Sequence, residues 1–466
     1  MPVRIFSHYV HLPVLLLGIV EALIFYAALY AGSYIRFATD PSSIAIAIGD
    51  LQPRAVLYSL LMMSSMVATG LYHARQRPRL IGVILRIAIA VIGGTIAATM
   101  VFYIFPGLFV GRGALALSGV VALAGVALIR AIFINVVDDE IFKRRVLVFG
   151  AGRRAASITT LRRRADQRGF YLVGFVPAAS DNPQVDPDMT LQLEGPLLEF
   201  AREFDIDEIV VAMDDRRRSF PVRELLECRL CGIDVIDLLN FLERETGKVR
   251  LDVMNPSWLI FSEGFRRDTF RLFSKRVFDL VASGVLLTLT LPVMVLAALA
   301  ILVEDGWGKP ILYRQRRVGL DGHVFNVLKF RSMTVDAEKE GKAQWASVND
   351  SRITRVGSFI RKVRIDELPQ VLNVLRGNMS FVGPRPERPE FVEKLNEEIP
   401  YYRERHCVKP GITGWAQLCY PYGSSERDAL EKLQYDLFYV KNHNLIFDLL
   451  ILLQTTEVIL WGQGAR

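Results

Sequence analysis

Four apolar stretches in the first 140 residues constrain the fold of this chain more than any other feature of its sequence. They cover roughly residues 11–34, 53–72, 82–105 and 113–136, and each is close to the ~20 residues that an α-helix needs to cross a bilayer. The first stretch is too long for the apolar part of a signal peptide and lacks a cleavage-site pattern. The sequence therefore predicts an α-helical transmembrane bundle over residues 1–140.

The overall composition agrees with a membrane protein that handles anions. The mean hydropathy of +0.28 is high for a purely soluble chain. The net charge of +7 and the pI near 9.2 fit an anionic partner. Because apolar spans are present, that partner is expected to be anionic lipid and phosphorylated substrate, and no nucleic acid is expected.

Basic residues near the ends of the apolar stretches predict the orientation of the chain. Arg75, Arg77 and Arg79 lie between the second and third stretches, and residues 143–145 follow the fourth. Cytoplasmic loops carry an excess of Lys and Arg. Both termini and everything after residue 140 are therefore predicted to lie in the cytoplasm.

A small Rossmann-like domain is predicted over about residues 141–265, because strand patterns alternate there with helical ones. A buried strand at 146–150 runs into a GxGxxA turn containing Gly150 and Gly152, where backbone N–H groups can hold phosphate. The second strand, 171–176, is not followed by the acid that binds a ribose hydroxyl. We interpret the loop chiefly as a structural turn, with nucleotide or nucleotide-sugar sensing and redox use of NAD as alternatives.

A fifth apolar run, 280–303, differs from the first four because Pro292 lies in its middle. Proline removes a backbone hydrogen bond and kinks a helix. A crossing would also put the basic segment that follows on the far side of the membrane. We therefore predict a re-entrant helix–break–helix over about 275–303, broken at Pro292, that dips into one leaflet, with Lys275 and Arg276 at the headgroups. A kinked full span is the alternative.

The adjacent acids Asp366 and Glu367 are the strongest candidate for chemistry. Two neighbouring carboxylates repel unless a cation lies beside them. Basic residues surround the pair in sequence, and Gly383-Pro384-Arg385-Pro386 holds one guanidinium between two fixed φ angles. Such a planar fork suits bidentate phosphate binding. The pattern predicts phosphoryl chemistry at a membrane surface.

Four segments together resemble the bacterial sugar transferase family, the polyprenyl-phosphate phosphoglycosyl transferases. They are KFRSM at 329–333, RIDELPQ at 364–370, GPRP at 383–386 and KPGITGWAQ at 409–417. The resemblance covers about residues 270–466 and implies a mainly α catalytic domain over 266–466 with a re-entrant membrane helix. The four spans and the Rossmann-like, CoA-binding-like domain resemble the long members of the family. The start of the chain, 4–10, resembles the exopolysaccharide branch associated with exosortase systems.

The resemblance implies a two-step reaction at the acid pair. Asp366 would attack the β-phosphate of a UDP-sugar and expel UMP, and undecaprenyl phosphate would then take the sugar phosphate from Asp366. Glu367 matches the acid that helps to hold Mg²⁺. Arg361 and Arg385 match arginines that contact phosphate.

Other residues are placed by the same resemblance. Lys329 and Arg331 lie in a matching basic motif and are expected to contact the substrate phosphates. Pro292 matches the helix-breaking proline, and Leu291 stands where some members have Ser, so the bend depends on Thr290 or on Pro292 alone.

The expected partners follow from that reaction. They are a UDP-sugar, with glucose or galactose favoured, undecaprenyl phosphate, lipids of the bacterial inner membrane, a second copy in a homodimer, and other exopolysaccharide assembly proteins. Two rival functions stay open. A membrane-anchored NAD-dependent enzyme that modifies nucleotide sugars is disfavoured because no Tyr-x-x-x-Lys pair follows the Gly150 turn. A non-catalytic scaffold is disfavoured by the intact acid pair.

Overall fold

The structure is a computed structural model, and it falls into two compact units. It describes residues 2–5, 8–38, 50–69, 71–72, 80–136, 143–161, 166, 169–178, 181–193, 195–215, 220–254, 256–262, 264–265, 268–334, 352–420, 423 and 425–460. The first unit extends to Pro256 and includes Leu453–Leu460, and the second runs from Ser257 to Leu452. The basic loop with Arg75, Arg77 and Arg79 lies outside the described residues. The division into three domains at 140/141 and 265/266 stays a prediction.

The first unit begins with four helices where apolar stretches were predicted. They are Leu12–Arg36, Leu51–Ala68, Leu80–Ile104 and Arg112–Val136, after a short hairpin of strands Pro2–Ile5 and His8–His11. The first, third and fourth, together with Thr269–Asp305 in the second unit, are long and apolar enough to cross a membrane. Leu51–Ala68 has 18 residues and is not among these four. The chain is therefore a membrane protein by the length and composition of its helices.

Both faces of the helices in this bundle are apolar. Phe25, Tyr58 and Phe102 are buried in its core, while Leu23 and Ile92 point outward and are more than half exposed. A helix that is apolar all round is typical of a membrane span. The bundle core also contains an ion pair, between Arg130 Nε and Glu21 Oε1 at 2.5 Å. This pair joins the fourth helix to the first.

The rest of the first unit is an α/β region around a four-stranded parallel sheet. The strand order across the sheet is Phe170–Val176, Arg144–Phe149, Glu208–Val211 and Asp234–Asp237. The helices that connect and follow the strands are Arg153–Thr159, Leu197–Glu203, Val222–Leu230 and Leu238–Thr246. The predicted parallel sheet is thus confirmed.

Apolar cores cover both faces of this sheet. Val146 and Val148 pack in one core, and Leu147 packs in the other, because successive side chains of a strand point to opposite faces. A strand that is buried on both faces reads as a continuous apolar run. This explains why the sequence of residues 144–149 identifies a central strand.

The second unit is mainly helical, with two small two-stranded sheets. Its helices, including short 3₁₀ segments, are Thr269–Asp305, Leu320–Gly322, Arg355–Lys362, Ile365–Glu367, Gln370–Arg376, Pro389–Glu398, Tyr402–Cys407, Trp415–Cys419 and Glu426–Asn442. Two more helices belong to it in part: Pro256–Phe261 from its second residue, and Leu445–Leu460 as far as Leu452. Strands Leu312–Val318 and Val324–Phe330 form an antiparallel hairpin, and Ser380–Val382 pairs in parallel with Gly411–Thr413.

The helix Thr269–Asp305 has 37 residues and continues through Pro292 without interruption. At 1.5 Å per residue it would be about 55 Å long if straight. Lys275 and Asp279 are buried near its start, and Ile301 is buried near its end, while the residues between are largely exposed and apolar. The helix is not interrupted at Pro292, and its re-entry into one leaflet stays a prediction.

Candidate active site

The acid pair lies in a single 3₁₀ turn, Ile365–Glu367, between helices Arg355–Lys362 and Gln370–Arg376. Arg364 precedes the turn with φ of 58°, in the left-handed region that non-glycine residues seldom adopt. Residues held in this conformation concentrate at functional sites, where the surrounding structure supports the strain. The 3₁₀ turn that follows Arg364 places both acids a few residues before the helix Gln370–Arg376.

Two cations contact Glu367. Lys329 Nζ donates to Glu367 Oε1 at 3.0 Å, and Arg385 Nη2 lies 3.4 Å from the same oxygen. Burial is the largest single influence and would raise the pKa of Glu367. Arg385 and Lys329 outweigh it and hold that pKa at about 2. Glu367 is therefore a firmly ionised group between two of the predicted phosphate-binding cations.

Asp366 has the opposite electrostatic character. Burial, followed by the negative charge of Glu367, raises the pKa of Asp366 above its ordinary value. Lys329 and Arg361 oppose that rise without reversing it. Carboxylates of one site whose pKa values are pushed apart are typical of pairs with separate roles. Asp366 is therefore the more basic carboxylate of the two.

The strand that carries Lys329 is fixed to the helix after the acid pair by Asn373. The side-chain oxygen of Asn373 accepts from Leu328 N at 2.9 Å, and its amide nitrogen donates to Asn326 O at 2.7 Å. Asn373 is 1% exposed. A buried side-chain amide that uses both its donor and its acceptor specifies one arrangement. No local motif in the sequence marks Asn373 as part of the site, because both of its partners lie more than 40 residues away.

The segment Gly383–Pro386 is held against the KPGITGWAQ segment. Gly383 N donates to Thr413 O at 2.9 Å, and Gly411 N donates to Pro384 O at 3.0 Å. A Cβ on Gly383 would lie 2.3 Å from Lys409 O, so only glycine fits there. Within the same segment Trp415 packs against Phe438 and Phe447. KPGITGWAQ thus acts as the structural partner of the arm that carries Arg385.

Comparison with known proteins bears on this site directly. A family model described as "Bacterial sugar transferase" matches residues 270–462, which include both acids, Lys329 and Arg385. The UDP-glucose:undecaprenyl-phosphate glucose-1-phosphate transferase of Xanthomonas campestris pv. campestris is 31% identical over 363 residues, covering 74% of this chain and 73% of that protein. The chain belongs to the bacterial sugar transferase family.

Two further relatives match more strongly over a shorter length. The UDP-N-acetylgalactosamine-undecaprenyl-phosphate N-acetylgalactosaminephosphotransferase of Aeromonas hydrophila is 41% identical over 244 residues, which is 52% of this chain. A UDP-glucose:undecaprenyl-phosphate glucose-1-phosphate transferase of Escherichia coli (strain K12) is 43% identical over 266 residues, which is 56% of this chain. In both cases the match spans 56% of the relative's length.

Arg361 and Arg331, two further predicted phosphate-binding residues, have different surroundings in the structure. Arg361 lies in the last turn of its helix, close enough for its charge to oppose the rise in the pKa of Asp366. Arg331 is buried and its Nη2 lies 2.6 Å from Asp305 Oδ2. The structure therefore uses Arg331 to tie the end of the long helix to the hairpin, and its contact with phosphate stays a prediction.

Lys275 and Arg276 lie in contacts within the second unit, which differs from the expected position at lipid headgroups. Lys275 is 9% exposed and donates to Asp448, to Tyr439 and to Val382 O. The guanidinium of Arg276 donates to the carbonyls of residues 374 and 375 at 2.7 Å each. Those carbonyls end the helix that follows the acid pair, where a cation is favourable. Both residues fasten the long helix to the site.

The loop at Gly150 and Gly152 is occupied by the protein's own carboxylates. Asp214 accepts from the backbone N–H groups of residues 153 and 154 at 2.9 Å each, and Asp181 accepts from Ala151 N at 2.9 Å. Gly150 has φ of 126°, and a Cβ on Gly152 would lie 2.1 Å from Asp214. These N–H groups are the ones that would hold phosphate. The contacts favour the interpretation of the loop as a structural turn.

The described residues fit Mg²⁺ only together with a substrate. Within the described part of the chain, no group of three or more His, Cys, Asp or Glu side chains could enclose a metal ion. Mg²⁺ is commonly held by one or two carboxylates and completed by substrate phosphates and water. Glu367, with Asp366 beside it, offers that partial set. Glu367 is the residue that would hold the ion.

Proposed function

We propose that the protein transfers a sugar 1-phosphate from a UDP-sugar to undecaprenyl phosphate, releasing UMP through a phospho-sugar bound to Asp366. The observation that carries the proposal is the split between the two acids, with the pKa of Asp366 raised and that of Glu367 held at about 2. The names of the relatives, which act on UDP-glucose or UDP-N-acetylgalactosamine and undecaprenyl phosphate, support the same reaction.

In the first step a carboxylate oxygen of Asp366 attacks the β-phosphorus of the UDP-sugar. The bond between that phosphorus and the bridging oxygen breaks, and the electron pair leaves with UMP. Lys329 and Arg385, which contact Glu367 before substrate binds, are positioned to move onto the phosphoryl oxygens. Preorganised cations at developing charge are among the largest contributions to catalysis. When bound, Mg²⁺ would neutralise part of the diphosphate charge beside Glu367.

In the second step an oxygen of undecaprenyl phosphate attacks the same phosphorus. The bond to Asp366 breaks, the carboxylate is restored, and undecaprenyl-diphospho-sugar leaves. A covalent intermediate divides one difficult displacement into two easier ones. The ionised form of Asp366 is needed at the start and is recovered at the end.

The contacts of the long helix support its re-entry into one leaflet. Its first turns contact the second unit through Lys275, and its last residue contacts the same unit through Asp305 and Arg331. A straight crossing would place these two ends on opposite sides of the ~30 Å hydrocarbon core. The exposed apolar residues between the ends, such as Leu289 and Leu296, would lie in the leaflet.

The cellular setting is proposed from the same resemblance. The protein is placed in the bacterial inner membrane with the catalytic domain on the cytoplasmic face, where it initiates exopolysaccharide synthesis as a homodimer. Glucose and galactose are the proposed sugars, and N-acetylgalactosamine is included because of the Aeromonas relative. The contacts of Asp214 and Asp181 argue against the NAD-dependent alternative.

The test is UMP release by the full-length protein in detergent with Mg²⁺. UDP-glucose, UDP-galactose and UDP-N-acetylgalactosamine are each assayed with and without undecaprenyl phosphate, and intact-mass spectrometry looks for a phospho-sugar adduct. We expect a stoichiometric burst of UMP without lipid, turnover with lipid, and neither in Asp366→Asn. Glu426→Gln, a change of an exposed acid, is the control with normal turnover. Wild-type turnover by Asp366→Asn, or UMP release that always requires the lipid, contradicts the proposal.

A further inference from the structure

The arm that carries Arg385 is anchored at two backbone carbonyls. Val382 O accepts a hydrogen bond from Lys275 Nζ at 3.1 Å, and the hydroxyl of Tyr439, whose one proton also faces Asp448 Oδ1 at 2.7 Å, lies 2.9 Å from the same carbonyl. Arg385 O accepts one from Arg405 Nη2 at 3.0 Å. The two anchored carbonyls enclose the Gly-Pro-Arg stretch whose last side chain contacts Glu367.

The guanidinium of Arg405 is itself held by several hydrogen bonds. Its Nε and Nη2 donate to Asp436 Oδ2 at 3.0 and 2.7 Å, and its Nη1 donates to Tyr402 Oη at 2.7 Å. Arg405 is 5% exposed and Asp436 is 2% exposed. The guanidinium is buried, and four of its five N–H groups donate to Asp436, to Tyr402 and to the carbonyl of Arg385. It contacts the arm through the carbonyl of Arg385.

The two anchors share one helix, Glu426–Asn442. Asp436, which holds Arg405, and Tyr439, whose hydroxyl lies 2.9 Å from Val382 O, are three residues apart. Residues at this spacing lie on the same face of a helix. This face therefore supports both ends of the arm at once.

We propose that Arg405, held by Asp436, is a positioning residue that sets the backbone of Arg385 so that its guanidinium meets the diphosphate of the substrate. The proposal deepens the proposed function and rests on it. Pro384 and Pro386 restrict the arm internally, and the hydrogen bond from Arg405 fixes where the restricted arm points. Displacement of a catalytic group by about 1 Å can cost ~10²-fold in rate.

The experiment uses two variants of the full-length protein in detergent. Arg405→Lys keeps a cation beside Asp436 but loses the planar fork that serves Asp436 and Arg385 O together. Arg405→Met with Asp436→Leu removes both buried charges, so that neither remains without a partner. The control is Lys394→Met, which removes an exposed cation of the same unit. Melting temperature and gel filtration establish that each variant folds.

The kinetic readout separates positioning from general stability. In folded variants we expect kcat for UMP release to fall by about 10- to 100-fold, with KM for the UDP-sugar changed much less. If Arg405 acts through Arg385, its replacement in an Arg385→Ala background should cost little more, since groups that act as a unit are not additive. Full additivity of the two losses would contradict the proposal.

Hydrogen exchange provides a readout independent of activity. The peptide covering residues 383–388 should exchange faster in both Arg405 variants and at the wild-type rate in Lys394→Met. A folded Arg405→Met and Asp436→Leu variant with wild-type kcat and unchanged exchange overturns the proposal. If the wild-type protein releases no UMP, the proposed function fails, while the exchange measurement still decides whether Arg405 fixes the arm.

Discussion

Lys329 Nζ lies 3.0 Å from Oε1 of Glu367, and through this contact one lysine acts on both acids of the site. It helps to lower the pKa of Glu367 to about 2, and it also opposes the rise in the pKa of Asp366. Lys329 therefore influences the pKa of both neighbouring carboxylates, but their pKa values shift in opposite directions. The two acids should therefore contribute differently to the free energy of unfolding and to the pH dependence of UMP release.

Glu367 should stabilise the folded protein, whereas Asp366 should destabilise it. The pKa of Glu367 falls from an ordinary 4.5 to about 2 on folding, so its contribution is present above pH 4.5 and is lost as the pH falls toward 2. Glu367→Gln should lower the free energy of unfolding at pH 7 by up to about 3 kcal/mol. Asp366 has a raised pKa, so its ionised form opposes folding and Asp366→Asn should raise the melting temperature.

Thermal melts of the two isosteric variants at pH 7 measure this contrast. Each exchanges a carboxylate for an amide of the same shape, so they control for one another. A melting temperature that falls in both variants would show that folding stabilises the ionised form of Asp366. That result would contradict a raised pKa for this residue.

The pH profile of UMP release should depend on Lys329. Attack requires ionised Asp366, so kcat/KM should fall as the pH drops through a value above 3.8, the ordinary pKa of Asp. Lys329→Met removes a charge that opposes the rise, so this acidic limb should move to higher pH, in addition to any loss of rate. Lys394→Met serves as the control and should leave the limb in place. If the acidic limb stays at the wild-type pH in Lys329→Met, the charge of Lys329 does not influence the pKa of Asp366.

The sequence identified the charged residues of this site, but not the contacts that hold them in place. Asp366, Glu367, Lys329 and Arg385 could be chosen because the motifs that carry them are local in sequence. Arg331 lies just beyond the strand Val324–Phe330, so alternation along the strand does not decide where its side chain points.

The positions of Arg331 and Arg405 depend on partners that are distant in the sequence. Asp305, the partner of Arg331, is 26 residues away, and Asp436, the partner of Arg405, is 31 residues away. Local patterns of charge and hydropathy contain no information about such pairs. The same holds for Asp214, which reaches the Gly150 turn from 60 and 61 residues downstream. The apolar runs and the parallel strands, by contrast, are read from the few residues that form them.

The α/β region of the first unit should not bind NAD. Asp214 occupies the N–H groups of residues 153 and 154, so a pyrophosphate would have to displace a carboxylate of the protein. Millimolar NAD should leave the melting temperature of the full-length protein unchanged. Asp214→Ala should lower the free energy of unfolding by about 1 kcal/mol, the usual cost of removing a cap, and leave UMP release at the wild-type rate. Asp214→Asn, which keeps an acceptor, is the matched control. A melting temperature that rises with NAD would reopen the nucleotide interpretation.

Cysteine labelling should place both ends of the long helix on the same side of the membrane. Phe270 near its start and Trp307 just after its end are 76% and 91% exposed, and Leu289 in the middle is 72% exposed.

The labelling experiment starts from a variant in which the four native cysteines have been replaced: Cys228, Cys231, Cys407 and Cys419. In this background a membrane-impermeant maleimide should label Phe270→Cys and Trp307→Cys in inside-out vesicles. Neither should be labelled from the outside, and Leu289→Cys should be protected in both, because it would lie in the leaflet. Trp307→Cys labelled only from the outside would establish a full crossing.

Pro292→Ala tests why the helix would turn back. Alanine restores the backbone donor that proline lacks and removes the clash of the ring with the preceding turn. A straight apolar helix of this length can span the bilayer, so part of the Trp307→Cys population should become accessible from the outside. That fraction has to break the contacts that Asp305 and Lys275 make with the second unit, and it should lose UMP release in proportion. Leu291→Ala is the control at the neighbouring position and should keep both the labelling pattern and the activity. If Pro292→Ala labels as the wild type does, the contacts at the two ends, rather than the proline, hold the helix in place.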